Sequence, residues 1–146
     1  MIDTSIPDRD NYVWWTTIDT RWSDNDMYGH VNNAIYYNYI DSVVNKYLIN
    51  EGGLKPTESE QIGVVVESAC RYVDSFRYPE SIECGLRVVM LGNSSVKYEV
   101  GLFQPSDNAP RVWGGFVHVF VDRVSRRPQR IIETMRLAMM KIKKDT

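Results

Sequence analysis

The sequence lacks any long apolar run and is poor in cysteine and histidine. Its two cysteines, Cys70 and Cys84, form no C-x-x-C pair, so we expect reduced, partly buried thiols and no disulfide. No segment is long or apolar enough to span a membrane. Residues Met1 to Asp10 carry three acids and no apolar stretch, so we expect no signal peptide. These absences predict a cytoplasmic protein.

The sequence also lacks an excess of positive charge. The formal net charge of −2 argues against a nucleic-acid-binding role, which normally requires a basic domain. Basic residues nevertheless crowd the C-terminal end, either as a solvated face or as a patch for phosphates. They are Arg123, Arg126, Arg127, Arg130, Arg136, Lys141, Lys143 and Lys144.

The length of 146 residues, without repeats or linkers, predicts one domain over 1–146, with a core at about 12–124 and a helix at about 130–143. Residues 12–22 are rich in β-branched and aromatic types, which predicts a strand. Apolar residues then recur at helical spacing from Val31 to Leu48, until Glu51-Gly52-Gly53 stops the helix. This helix has one strongly apolar face, so we expect it to be buried.

Four further strands follow, at 62–76, 81–91, 96–103 and 111–124, and each joins the next through a short turn. Successive strands with short connections form an antiparallel sheet. A single helix with such an apolar face can bury it by packing against one face of that sheet. The predicted fold class is therefore α+β, with an antiparallel sheet wrapped around a central helix.

Two acids, Asp24 and Asp26, lie in a turn ahead of the predicted helix and are followed by Gly29-His30. Acids before a helix can act simply as caps, and we expect that role for one of the two. Free N–H groups at a helix N-terminus also stabilise developing negative charge, and an acid beside them suits acyl transfer. His30 alone is weak evidence, since single histidines are usually structural.

Metal binding by this turn is not supported. Asp24, Asp26 and Gly29 match positions one, three and six of a calcium loop, but Tyr28 and Ile35 occupy positions that require oxygen ligands. Asp24, Asp26 and His30 have no further ligand at a suitable spacing. We expect no metal.

Residues Arg21 to Tyr36 read R-x-x-D-x-D-x-x-G-H-V-N-N-A-x-Y. This pattern resembles the signature of the 4-hydroxybenzoyl-CoA thioesterase branch of the hotdog-fold superfamily. The segments 64–67, 92–98 and 117–122 agree with it, whereas the first ten residues and the C-terminal helix lie outside the resemblance. The resemblance implies a five-stranded antiparallel sheet around one long helix. It also implies homodimers or homotetramers, with active sites at the interface of two protomers.

The resemblance further implies the site residues. Asp26 would be the catalytic carboxylate, acting either as general base on water or as nucleophile. Backbone N–H groups around Val31 to Asn33 would bind the thioester oxygen, and the site would be completed by Gly29, His30, Asn32 and Tyr36. No cofactor is expected, since coenzyme A enters as part of the substrate. Glu67 is a secondary candidate, for which we expect an outward-facing position, and Asp41 is expected to be structural.

One departure from the family pattern bears on the molecule that carries the acyl group. Some relatives hold the phosphates of coenzyme A with basic residues before the fourth strand, where this chain has the uncharged run Leu91-Gly92-Asn93-Ser94. The phosphates would then be met by Arg71, Arg77, Arg87 or the basic C-terminus, or the carrier is an acyl carrier protein. An acyl-CoA thioesterase is the leading hypothesis. A hotdog protein that binds acyl thioesters without hydrolysis and a hotdog hydratase or dehydratase are the alternatives.

Overall fold

The computed structural model describes residues 5–145; Met1–Thr4, on which part of the signal-peptide expectation rests, and Thr146 lie outside the described residues. Short 3-10 helices at Arg9–Asn11 and Trp22–Asp24 flank the first strand. The main elements are, in order, β1 (Trp14–Asp19), α1 (Ile35–Gly52), β2 (Gln61–Tyr72), β3 (Ser81–Leu91), β4 (Ser95–Phe103), β5 (Val112–Asp122) and α2 (Glu133–Lys141).

The five strands form one sheet in the order β1-β3-β4-β5-β2, and every neighbouring pair is antiparallel. Alternate residues of β3, β4 and β5 are buried on the face that α1 covers, as the period of two along a strand requires. The α+β class and the sheet around one long helix are confirmed. β1 and β2 are the edge strands.

α1 buries the face that its apolar spacing predicts, through Tyr36, Tyr39, Ile40, Val43, Val44, Tyr47 and Leu48. It ends as expected, because Gly53 adopts a φ of +76° and donates its N–H to the Leu48 carbonyl. Its start differs from the prediction. The helix begins at Ile35 instead of Val31, because Val31 pairs with Asn25 in a β-bridge.

α2 is shorter than the predicted 130–143 and belongs to the core, which the prediction ended near residue 124. Met135, Ala138 and Met139 are buried against α1, and the Tyr47 hydroxyl donates to the Ala138 carbonyl at 2.6 Å. A Cβ on Gly52 would lie 2.5 Å from the Met135 sulfur, so glycine permits this close helix contact. Isolated helical spacing could not show which surface α2 covers.

Three strands are also shorter than predicted, and one of them, β5, spans Val112–Asp122 instead of 111–124. β1 starts at Trp14, because the Tyr12 N–H closes the preceding 3-10 helix on the Arg9 carbonyl. β2 ends at Tyr72, because the next two N–H groups both turn toward the Arg111 carbonyl.

β2 contains a β-bulge and borders solvent. Val65 pairs with His118 and Glu67 with Val117, so Val66 is the extra residue. The exposed fractions of Val64, Val65 and Val66 are 37%, 47% and 60%. An apolar strand therefore lies along an unpaired edge of the sheet.

His118 is the one buried imidazole in the described chain. It packs among Tyr98, Phe116 and Phe120, and its Nδ1 lies 3.1 Å from the Tyr98 hydroxyl. Gly63 leaves room for it, since a Cβ there would lie 2.6 Å from Nδ1. Burial penalises the charged imidazolium and lowers the pKa of His118 from 6.5 to about 4.

We expect His118 to make the fold sensitive to acid. Between pH 6.5 and about 4 the unfolded chain binds a proton at His118 that the folded chain excludes. The free energy of unfolding should therefore fall by up to about 3 kcal/mol as the pH drops through this window. Urea unfolding at pH 7.5 and pH 4.5 measures this loss, and His118→Gln should remove most of it. Equal pH dependence in both proteins would contradict the prediction.

No helix within residues 5–145 is long and apolar enough to cross a membrane.

Candidate active site

Residues 24–33 form a small loop that is closed between Asp24 and Asn32, and we call this loop the acid hairpin. The Asn32 N–H donates to the Asp24 carbonyl at 2.9 Å, and the Asp26 N–H donates to the His30 carbonyl at 2.8 Å. Gly29 closes the tip with a φ of +83°, a conformation that side chains with a Cβ rarely adopt. The hairpin therefore fixes Asp26 relative to the chain that enters α1.

The two acids have different surroundings. Asp24 is buried, and its carboxylate accepts hydrogen bonds from the Tyr39 hydroxyl at 2.6 Å and from the Arg21 backbone and guanidinium. Burial acts to raise its pKa, but the bonds from Tyr39 and Arg21 outweigh it and the pKa of Asp24 is lowered. Asp24 is thus an ionised structural acid.

Asp26 is only half-buried. Its Oδ1 accepts the Tyr28 N–H at 2.8 Å, which orients the carboxylate within the turn. Neither acid caps α1, contrary to the capping interpretation, because α1 begins at Ile35 and Ala34 occupies its N-cap position without a side-chain bond. The Asn32 side chain instead accepts the Ala34 N–H. A partly accessible carboxylate at the tip of a closed loop is suited to act on a bound molecule.

The helix start revises the predicted oxyanion donors. The Val31 N–H donates to the Phe76 carbonyl and the Asn32 N–H to the Asp24 carbonyl, so neither is available to a ligand. Among the three predicted donors, Asn33 is the one whose N–H has no hydrogen bond within the described chain. The Tyr72 hydroxyl donates to the Asn33 carbonyl at 3.1 Å and so helps to orient this peptide.

The remaining predicted site residues differ in how accessible they are. Tyr36 and Val31 are buried, and the Tyr36 hydroxyl accepts the Phe76 N–H at 2.9 Å, so both stabilise the core beside the site. Their contact with a substrate stays a prediction. His30 is half-buried, and its Nε2 lies 3.2 Å from the Arg77 guanidinium.

The loop 73–80 between β2 and β3 fastens the acid hairpin in place. Three contacts join the two: Val31 N–H to Phe76 carbonyl at 2.9 Å, Tyr78 N–H to Asn25 Oδ1 at 3.2 Å, and Arg77 to His30. Sequence reasoning did not place Tyr39 or Tyr72 at the site and gave Arg77 only as a phosphate contact. Tyr72 lies 39 positions from Asn33 along the chain, so no local pattern signals the contact.

The secondary candidates lie elsewhere. Glu67 pairs with Val117 on the sheet face opposite α1, as expected for an outward-facing residue. Asp41 is exposed on α1 and accepts a hydrogen bond from Asn45. Arg87 is buried in an ion pair with Glu99 at 2.6 Å and is thereby removed from the predicted phosphate contacts.

Burial raises the pKa of both cysteine thiols, which is the opposite of what a reactive thiolate requires. Both cysteines are free, as predicted, and burial raises the pKa of Cys84 to about 12. Within residues 5–145 no three His, Cys, Asp or Glu side chains are grouped closely enough to hold a metal ion.

Comparisons with known proteins bear on the fold and the family of the chain. The PA5185 protein from Pseudomonas aeruginosa strain PAO1 is 47% identical, with 96% of this chain and 98% of that chain covered and a TM-score of 0.93. BH1999 gentisyl-coenzyme A thioesterase is 17% identical over 86% of this chain and 99% of that chain, with a TM-score of 0.75. DHNA-CoA thioesterase from Staphylococcus aureus is 18% identical over 80% and 78% of the two chains, with a TM-score of 0.71.

The last two similarities show the hotdog fold alone. Among curated proteins, no sequence matches the chain. Residues 20–139 match the thioesterase-like superfamily, and this range includes most of α2, which the sequence resemblance had left outside. The chain therefore belongs to the thioesterase-like superfamily and has its hotdog fold.

Proposed function

We propose that the protein hydrolyses the thioester bond of an acyl-CoA to a free acid and coenzyme A. The observation that carries this proposal is the presence of Asp26 and the Asn33 N–H on one loop that is closed by hydrogen bonds. A carboxylate and a free peptide N–H are the two groups that thioester hydrolysis requires. Membership of the thioesterase-like superfamily supports it.

In the proposed reaction, the thioester carbonyl oxygen accepts the Asn33 N–H. Asp26 either removes a proton from the attacking water or attacks the carbonyl carbon itself to form a mixed anhydride that water then hydrolyses. The carbon–sulfur bond breaks as the carbonyl re-forms, and the electron pair leaves on the thiolate, which takes up a proton. Because a thiolate is a good leaving group, no dedicated general acid is required.

Coenzyme A is the proposed carrier because two proteins with this fold are described as thioesterases of CoA esters. An acyl carrier protein presents the same phosphopantetheine thioester and is the alternative carrier.

We further propose that two protomers pair through their β2 edges. Support comes from the exposed Val64-Val65-Val66 run on an edge strand of 12 residues. An apolar edge of this length would favour aggregation in a monomer, and pairing with a second copy satisfies its backbone groups. A two-fold axis through β2 extends the sheet across both protomers.

Thiol release from short, long and aromatic acyl-CoAs tests the proposed activity. We expect turnover with at least one acyl group and a ranking of the others. An acyl carrier protein loaded with the same acyl groups serves as the comparison carrier. Binding of acyl-CoAs without any thiol release from either carrier would contradict hydrolysis and indicate a binding protein.

A further inference from the structure

The turn between β3 and β4 contains no charged residue, but two arginines from the C-terminal segment lie against it. The Arg136 guanidinium donates to the Gly92 carbonyl at 2.9 Å, and the Arg130 guanidinium donates to the Asn93 side chain at 3.2 Å. The Asn93 carbonyl also accepts the Ile131 N–H at 2.9 Å. The C-terminal segment therefore brings two cations to a turn that has none of its own.

These cations are available to an anion. Within residues 5–145 neither Arg130 nor Arg136 forms an ion pair with a carboxylate. Arg130 is exposed and Arg136 is half-buried. Two further exposed arginines, Arg126 and Arg127, precede them in the same segment. Guanidinium groups are well suited to phosphate oxygens, so the surface fits a phosphorylated ligand.

The arginines and the acid hairpin are attached to opposite ends of β2. Gln61, the first residue of β2, bonds through its side chain to the Arg130 carbonyl at 2.9 Å. Tyr72, the last residue, bonds to the Asn33 carbonyl. A strand of 12 residues is about 36 Å long at roughly 3.3 Å per residue.

A single protomer cannot use both ends for one pantetheine thioester. The pantetheine arm joins sulfur to phosphorus through about thirteen bonds, and at roughly 3.3–3.6 Å for every three backbone bonds it reaches at most about 15 Å. If two copies of β2 pair antiparallel about a two-fold axis, however, the Gln61 end of one strand meets the Tyr72 end of the other. The inference therefore requires that this pairing bring the arginines of one protomer within about 15 Å of the acid hairpin of the other.

We propose that Arg130 and Arg136 bind the phosphate groups of the carrier whose thioester lies at Asp26 of the partner subunit. This inference rests on the proposed hydrolysis and on pairing through β2. Each active site would then combine the acid hairpin of one protomer with the arginines of the other. The cations that some relatives carry before the fourth strand would be supplied here from the C-terminal segment.

Three thioesters with the same acyl group test the phosphate contact: acyl-CoA, acyl-phosphopantetheine and acyl-pantetheine, which has no phosphate. In Arg130→Gln/Arg136→Gln we expect KM for acyl-CoA to rise by about tenfold or more. KM for acyl-pantetheine should not change. A rise with acyl-phosphopantetheine as well assigns the contact to the phosphate that coenzyme A shares with a carrier protein, and a rise with acyl-CoA alone assigns it to the nucleotide phosphates.

Matched variants separate this effect from loss of structure. Arg130→Gln alone leaves the Arg136 bond to the turn intact, and Arg130→Lys keeps the charge and should restore most of the affinity. Lys46→Gln removes one charge from α1, where its amine donates to the Thr16 hydroxyl on β1, the opposite edge strand, and should have no effect on KM. Equal KM increases with all three thioesters would overturn the phosphate assignment.

Mixed dimers test the contribution across the interface. Co-expression of Asp26→Asn with Arg130→Gln/Arg136→Gln under two affinity tags yields dimers with one complete site only if the two groups come from different protomers. We expect about half of the wild-type kcat at wild-type KM. A KM equal to that of the arginine variant would place both groups in one protomer and overturn the proposal. Wild-type turnover of acyl-pantetheine tests hydrolysis separately, so failure of the proposed function is recognised independently.

Discussion

Replacing Asp26 with Asn should lower kcat for thioester hydrolysis by about a thousandfold and leave the fold intact. The amide can neither accept a proton from water nor attack the carbonyl carbon at a useful rate. It can still accept the Tyr28 N–H that orients the side chain at 2.8 Å, so the acid hairpin should keep its shape. Initial rates of thiol release measure the loss, and urea unfolding should change by less than about 1 kcal/mol.

Asp41→Asn is the matched control for this variant. Asp41 is an exposed acid on α1 that contacts only Asn45 in the described chain, so the same chemical change should leave the rate unchanged. Full activity of Asp26→Asn would remove Asp26 from the mechanism. A large loss in both variants would point to an effect of net charge.

Replacing Asp24 with Asn should instead destabilise the protein by about 2–4 kcal/mol. Its carboxylate is buried and accepts bonds from the Tyr39 hydroxyl and the Arg21 backbone. An amide has one acceptor oxygen and presents an N–H group to one of these donors. The exposed Arg21 guanidinium contributes little to this figure, since water screens it. Urea unfolding measures the change.

A double-mutant cycle with Tyr39→Phe isolates the buried hydrogen bond. We expect the two losses to be less than additive, since either substitution removes the same bond. The lowered pKa of Asp24 makes its contribution complete above its ordinary value of 3.8 and lost as the pH falls through the folded value. Additive losses would show that Tyr39 and Asp24 act independently.

The sequence predicted those parts of the fold that depend on local periodicity. The apolar face of α1 and the five strands follow from spacing of 3.6 and 2 residues, because burial selects apolar types at those intervals. The ends of elements depended on distant partners instead. Val31 lies outside α1 because it contacts Asn25 and Phe76. α2 belongs to the core because it packs on Tyr47 and Gly52. No local pattern shows either set of contacts.

The candidate site likewise has features that the local sequence predicts and features that depend on distant residues. The acid hairpin is contiguous in sequence, so its motif alone is enough to propose Asp26 and Asn33 as candidates. Which acid is structural depended on Tyr39, and which peptide N–H is available depended on Asp24 and Phe76. The sequence did not choose among several arginines as phosphate contacts, because the folded position of each strand or segment decides on which surface its arginine lies.

The bulge in β2 decides which face the second half of that strand presents. Before Val66, residues Gly63 and Val65 share the face of α1, and after it Tyr72 does, which allows the hydroxyl to reach Asn33. If β2 paired regularly through Val66, without the bulge, Tyr72 would lie on the opposite face. The unpaired Val66 therefore resets the alternation of faces along β2, so the approach of Tyr72 to Asn33 depends on the presence of a bulge in this strand and not on the side chain of valine.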